Sequence, residues 1–223
     1  MITRTLMLVL TAGALTASAA SKNKQRLEDA VLVLQEIMAV PEKGIPANLL
    51  DRAHCIVIVP GLKKGAFFFG GRYGKGYTSC RQTGKKGWSA PATLRVEGGS
   101  FGLQIGVTET VMLVMNERGA NSLMGSKFTL GGVAQAAAGP VGRAAAAETD
   151  AAMRAEILSY SRSRGLFAGV ALQGATMRND LDANRAMYDQ RLTTAEIVRE
   201  DKVKPTPAGQ QLIDVLTGYS ATS

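Results

Sequence analysis

A chain of 223 residues with a formal charge of +8 and an ordinary globular composition apart from 25 glycines can form one domain that buries about 70% of its unfolded surface. Beyond the N-terminus no segment stays apolar for the roughly 20 residues a membrane-spanning helix needs, so any membrane contact is peripheral. With one His and two Cys, local spacing yields no zinc site of three or four nitrogen and sulfur ligands.

In chain order, Arg4, the apolar run 6–15 and the small residues Ala17, Ser18 and Ala19 read as a secretory signal peptide. Residues 1–19 are therefore expected to be removed, leaving 20–223 as the single domain of an exported, periplasmic or cell-envelope protein. No Cys follows the apolar run, which argues against a lipoprotein anchor. Residues 23–40 read as an amphipathic helix, because Leu27, Ala30, Val31, Leu34 and Met38 fall on one stripe. Such a helix can lie on a membrane, although docking on the domain's own core is commoner. Pro41 and Gly44 end it, and 47–52 reads as a short helix.

The run 55–59 is continuously apolar and is stopped by Pro60-Gly61, the pattern of a buried strand. Segments 66–70, 76–82, 88–97, 100–107 and 110–115 follow at a spacing near ten residues with glycines between them, which suggests an antiparallel sheet curled toward a barrel. A helical turn at 121–126 and further strands at 128–130, 134–138, 157–162 and 166–172 are expected. The alanine-rich stretch 143–153 fits strand or helix. Residues 180–189, 194–201 and 207–216 read as helices, the last with Thr206 as N-cap, Pro207 at the first position and Gly218 as its stop. The expected fold is α+β: a curled, barrel-like antiparallel sheet with an N-terminal amphipathic helix and C-terminal helices. Export permits a disulfide between Cys55 and Cys80, which sit in strands that can be neighbours; two unpaired buried thiols are an equal alternative.

Charge is unevenly placed. Between Ala53 and Val96 there is no Asp or Glu, yet Lys63, Lys64, Arg72, Lys75, Arg81, Lys85, Lys86 and Arg95 all lie there. The other 18 basic residues balance the 18 acidic ones, so this block carries the whole net charge. It also holds half of the aromatics, among them Phe67, Phe68, Phe69, Tyr73 and Trp88. Cations interleaved with aromatics suit an anionic surface. The candidate lipid-binding residues are therefore Lys63, Lys64, Arg72, Lys75, Arg81, Lys85 and Lys86 with Phe68 and Trp88. In a strand, Phe67 and Phe69 share a face and Phe68 takes the other, so at least one side of the triplet is expected in the core. Export removes nucleic acid as a partner.

Three local motifs fail on their own terms. Gly98-Gly99-Ser100-Phe101-Gly102 matches a nucleophile elbow, but the single histidine, His54, lies upstream and a strand follows where a helix is required. The glycines at 70–76 lack the P-loop spacing. Asp180, Asp182 and Asn184 begin like an EF-hand, but Arg185 and Arg191 stand where Gly and Glu are needed. His54 is expected to be a partly buried, satisfied side chain. No catalytic residues, cofactor or metal ligands are assigned.

Larger blocks are more specific. Trp88-Ser89-Ala90-Pro91, the stretch 98–106, Ala138-Gly139-Pro140-Val141-Gly142-Arg143, the stretch 159–170 and Asn184 with Tyr188 resemble, in order and spacing, successive elements of the SYLF domain family. The resemblance implies a non-enzymatic, lipid-binding module. Eukaryotic members are linked to phosphoinositides and, through an associated segment, to actin. An exported chain would meet neither, so the expected partner is anionic phospholipid of an envelope membrane, and the alternative is a structural or protein-interaction module of the envelope.

Overall fold

The computed structural model describes residues 2–39, 44–82, 84, 87–101, 104–132, 135–141, 155–163, 166–170 and 172–220, with the side chains of the first helix described from Ala20 onward. The alanine-rich stretch 143–153 lies outside the described residues. Helix α1 (Ile2–Met38) is continuous, α2 (Ala47–Arg52) follows, and four long strands come next: β1 (Cys55–Ala66), β2 (Phe69–Cys80), β3 (Ala92–Phe101) and β4 (Gln104–Val114). Then come α3 (Glu117–Met124) and the shorter strands β5 (Lys127–Thr129), β6 (Ala136–Ala138), β7 (Ile157–Ser163), β8 (Leu166–Gly169) and β9 (Thr176–Asn179). Helices α4 (Leu181–Tyr188), α5 (Thr194–Val198) and α6 (Pro207–Tyr219) close the chain.

These strands form one nine-stranded sheet ordered β5-β9-β3-β2-β1-β4-β7-β6, with β8 on β7. The sheet is strongly curled into a half-barrel, so the fold is the α+β arrangement the sequence implies. All pairings are antiparallel except β6 with β7. The apolar run of β1 makes it the centre, buried on both faces. Ile56 and Ile58 point to a core shared with Leu27, Leu34 and Ile37 of α1 and with Leu212 and Leu216 of α6. Val57 and Val59 point to a second core with Leu94, Val96, Phe128, Met177 and Ile197. The amphipathic stripe of α1 is thus spent on the protein's own core and is not free to lie on a membrane. Arg162 of β7 clamps α1 further, pairing with Glu36 on the helix and Glu109 on β4.

Two expectations about the strands need correction. Pro60-Gly61 does not stop β1; the strand runs on to Ala66, with a register shift between Val59 and Leu62 against β4. A bulge absorbs the missing proline N–H, and the strand continues beyond it. The glycines of 70–76 are not turns either, but lie inside β2. A Cβ on Gly76 would sit 2.5 Å from the Ile58 carbonyl oxygen, so glycine is required where β2 passes close to the bulged strand. Helix α6 begins at Pro207 with the Thr206 hydroxyl accepting from Gly209 N, as expected, but continues through Gly218 to Tyr219. Strand β9 had no counterpart in the sequence reading.

Cys55 and Cys80 are register partners on β1 and β2 and form a disulfide. The bond closes a 25-residue separation, which corresponds to about 3.5 kcal/mol in the chain-entropy account. Replacing both cysteines by alanine is expected to lower Tm by roughly 10 °C. Thermal unfolding with and without reductant checks this; an unchanged Tm would mean the bond adds nothing to stability.

Candidate functional site

The hydrophobic cores end before the strands do. On the face turned to α1, β2 runs from buried Tyr77 through Lys75 and Tyr73 to Phe69, while β4 runs from buried Val111 through Glu109 and Val107 to Ile105. Exposure rises along both strands toward the tip. Phe67, Phe68 and Phe69 are 70%, 73% and 81% exposed, and Ile105 and Val107 are 80% and 57% exposed. All three phenylalanines are therefore outside, which overturns the expectation that one side of the triplet is core. Phe67 and Phe68 occupy the turn between β1 and β2, and their rings meet edge to face at 5.1 Å. The sequence reading named Phe68 but missed Ile105 and Val107; their alternation with polar neighbours at the start of β4 was the available signal.

Three cations flank this apolar tip. Lys63 stands opposite Tyr73, and Lys64 stands opposite Arg72 on the other face of the same strand pair. None of Lys63, Lys64 and Arg72 has an ion pair among the described residues. Two like charges directly opposite are destabilising in a sheet. Burial, and then the Arg72 guanidinium, push the Lys64 ammonium pKa down; burial lowers that of Arg72 as well. Arg72 Nε has no hydrogen-bond partner among the described residues. An anion placed against this pair would relieve all three conditions.

The remaining candidates lie elsewhere. Lys75 Nζ is 2.6 Å from Asp180 Oδ2, and Arg95 faces Glu97, so a block free of acid in sequence is not free of it in space. Lys85 and Lys86 lie outside the described residues. Arg81 donates to the Ala53 carbonyl at 3.3 Å, and its guanidinium stacks 4.7 Å from the Trp88 ring centroid. Trp88 is only 4% exposed and donates through Nε1 to Ser220 Oγ at 3.1 Å. It ties the sheet to the end of α6, so its assignment as a lipid contact is corrected. This end of β2 is about 26 Å from Arg72, eight residues at the strand rise. The seven described candidates therefore do not form one patch.

The blocks that carried the family resemblance are packing devices. Gly98–Phe101 is a length of β3 paired to β2, with no turn into a helix. A side chain on Gly139 would overlap the Tyr160 ring, which is itself stacked on Phe167 at 5.5 Å. Asn184 is fully buried; its Oδ1 accepts from Thr93 N at 2.8 Å and from the Thr93 hydroxyl, and its Nδ2 donates to the Leu192 carbonyl at 2.8 Å. Tyr188 donates to the Pro91 carbonyl at 2.7 Å. His54, expected to be partly buried, is exposed, while its backbone holds β1 to its neighbours through Val114 and Arg81. Among the described residues no three His, Cys, Asp or Glu side chains gather where a metal could sit, and no helix is long and apolar enough to cross a membrane.

Comparison with known proteins decides the family. The model described as "Ysc84: Las17-binding protein actin regulator" matches residues 97–219. The chain belongs to the Ysc84 (SYLF) family. Among Ysc84 relatives, LAS seventeen-binding protein 3 of Saccharomyces cerevisiae is 37% identical over 183 residues, 78% of this chain and 39% of the relative. SH3 domain-containing YSC84-like protein 1 is 31% identical in Bos taurus and 30% in Homo sapiens, over 208 residues, 90% of this chain and 60% of the relative in both species. The chain thus spans about 40–60% of the length of these relatives. Their names are those of binding or SH3-containing proteins, not of enzymes. The Ysc84 match begins at Glu97, after the β1–β2 hairpin, whereas the mammalian alignments cover nine tenths of the chain. No solved structure matches the chain.

Proposed function

We propose that this Ysc84-family protein is a non-catalytic module that binds anionic phospholipid membranes peripherally through the β1–β2 tip and the adjoining end of β4. The observation that carries this reading is the exposure of Phe67, Phe68, Phe69, Ile105 and Val107 beside Lys63, Lys64 and Arg72. Each phenylalanine moved out of water contributes at least about 1.5 kcal/mol, and each cation at an anionic leaflet about 1 kcal/mol. Three of each reach about 7.5 kcal/mol, an affinity on the order of micromolar. The cations alone would be no better than millimolar, so the aromatics decide whether binding is useful.

The N-terminal reading fits this picture. Removal of residues 1–19 would leave in place Asn23 and the stripe from Leu27 to Ile37, which are buried in the domain. The chain would then act in an envelope compartment, where neither actin nor the Las17 of the yeast relatives' names is a partner. Expression in a secreting host should yield protein whose intact mass lacks residues 1–19; a full-length mass in the exported fraction would contradict export by cleavage. The relatives' names favour a second reading, in which the same tip docks a protein.

Sedimentation with vesicles tests the first against the second. Binding should rise with the phosphatidylglycerol fraction, fall with salt, and weaken by about thirtyfold or more in Lys64→Glu/Arg72→Glu. Folded protein that ignores every vesicle composition would move the reading to a protein partner.

A further inference from the structure

Next to the tip, α1 does not close fully onto the sheet. A cleft of about 440 Å³ separates a helix wall bearing Lys22, Arg26 and Asp29 from a hairpin wall bearing Lys63, Tyr73 and Lys75. The helix residues sit at i, i+4 and i+7, one stripe of α1. On the hairpin, Lys63 and Tyr73 are register partners, and Lys75 lies two residues further on the same face. Four cations and one carboxylate thus line a space large enough for a small polar group. Asp29 is already held by Gln25 at 3.2 Å, and Lys75 is partnered from behind by Asp180. Arg26 donates to Asn23 Oδ1 at 3.1 Å. Lys22 and Lys63 have no ion pair among the described residues.

We infer that this cleft holds the phosphate of a phospholipid headgroup while the neighbouring tip enters the acyl region. The inference rests on the membrane reading and assigns it a headgroup site. Lysine ammoniums supply point charges, the arginine fork supplies directed donors, and the Tyr73 hydroxyl supplies one more, a set suited to phosphate oxygens. Placement agrees with depth. Tyr73 and Phe69 lie on one face of β2, four residues or about 13 Å apart, so a tilted strand puts the phenylalanine among acyl chains while the tyrosine stays at the interface, where amphipathic rings reside.

The test uses three variants at exposed or half-exposed helix positions, with unchanged Tm as the control for folding. Lys22→Glu should weaken binding to vesicles of phosphatidylcholine with phosphatidylglycerol by about tenfold or more, and Asp29→Asn should strengthen it by about fivefold. Lys24→Glu makes the same change of charge outside the cleft, beside Glu28, and should have a clearly smaller effect. An equal loss in Lys22→Glu and Lys24→Glu would reduce the effect to general charge and overturn the cleft, leaving the tip reading to stand on its phenylalanines. Calorimetric titration with inorganic phosphate separates the sources. Phosphate binding that Lys22→Glu abolishes, in a wild-type protein that ignores vesicles, would overturn the headgroup assignment and the membrane reading together.

Discussion

Serine at positions 67, 68 and 69 together is expected to weaken binding to anionic vesicles by at least a hundredfold and to leave Tm unchanged. The three rings are exposed and lie outside both cores, so their removal takes little from the folded state. In a membrane complex each would be withdrawn from water, worth about 1.5–3 kcal/mol per ring. Complete insertion of all three would correspond to a thousandfold or more at about 1.4 kcal/mol per decade; partial insertion sets the hundredfold floor. Single changes should cost about tenfold each, largest at the ring that goes deepest. Sedimentation titrations and a thermal melt on the same preparations check both halves. A lower Tm would show that the phenylalanines have a folding role and would remove the basis for reading them as a contact surface.

Among single substitutions, the largest expected effect on stability lies at Asn184. Leucine fits the volume but satisfies none of the three hydrogen bonds that the amide makes to Thr93 and Leu192. The Thr93 backbone N–H would stay buried without a partner, and the half-buried Leu192 carbonyl would lose its donor, together about 3 kcal/mol at about 1–3 kcal/mol for a fully buried group. A loss of about 3 kcal/mol, roughly 10 °C in Tm, is expected, and denaturant unfolding measures it. Tyr188→Phe removes one hydrogen bond from a side chain that keeps its packing and should cost about 1 kcal/mol. A small effect at Asn184 would contradict its assignment as the pin between α4 and β3.

Much of the fold was legible because its signals are local. The stripe on α1 is written at helical spacing and is buried as such. The run 55–59 reads as a strand covered on both sides, and β1 has a core on each face. Thr206-Pro207 starts α6 where the chemistry of a capped first turn requires. What failed depends on contacts distant in sequence. Glycine spacing implied several short strands, whereas Gly74 and Gly76 serve a close approach between β1 and β2 inside one long strand. Strand β9 has four residues and exists because β3 and β5 flank it.

The site divides in the same way. A stretch without acidic residues announced the basic hairpin, and Lys63, Lys64 and Arg72 do carry it. Nothing local shows that Asp180 reaches Lys75, or that Trp88 folds in toward Ser220. The phenylalanine triplet reads as strand by composition, and only the placement of the β1–β2 turn away from both cores puts it outside. The helix half of the cleft, Lys22 and Arg26, precedes the hairpin by some 40 residues and joins it only through packing.

The most direct test of membrane contact by the tip places a reporter at its centre. A Phe68→Trp variant carries one new indole there, while Trp88, the chain's own tryptophan, is buried at the far end of β2 and serves as the internal control. With phosphatidylglycerol vesicles whose acyl chains carry bromine, the account predicts that emission from the variant shifts to shorter wavelength and is quenched, while the wild type stays unquenched. Emission from the variant that is the same with brominated and unbrominated lipid, under conditions where vesicles are present in excess, would contradict insertion of the β1–β2 tip.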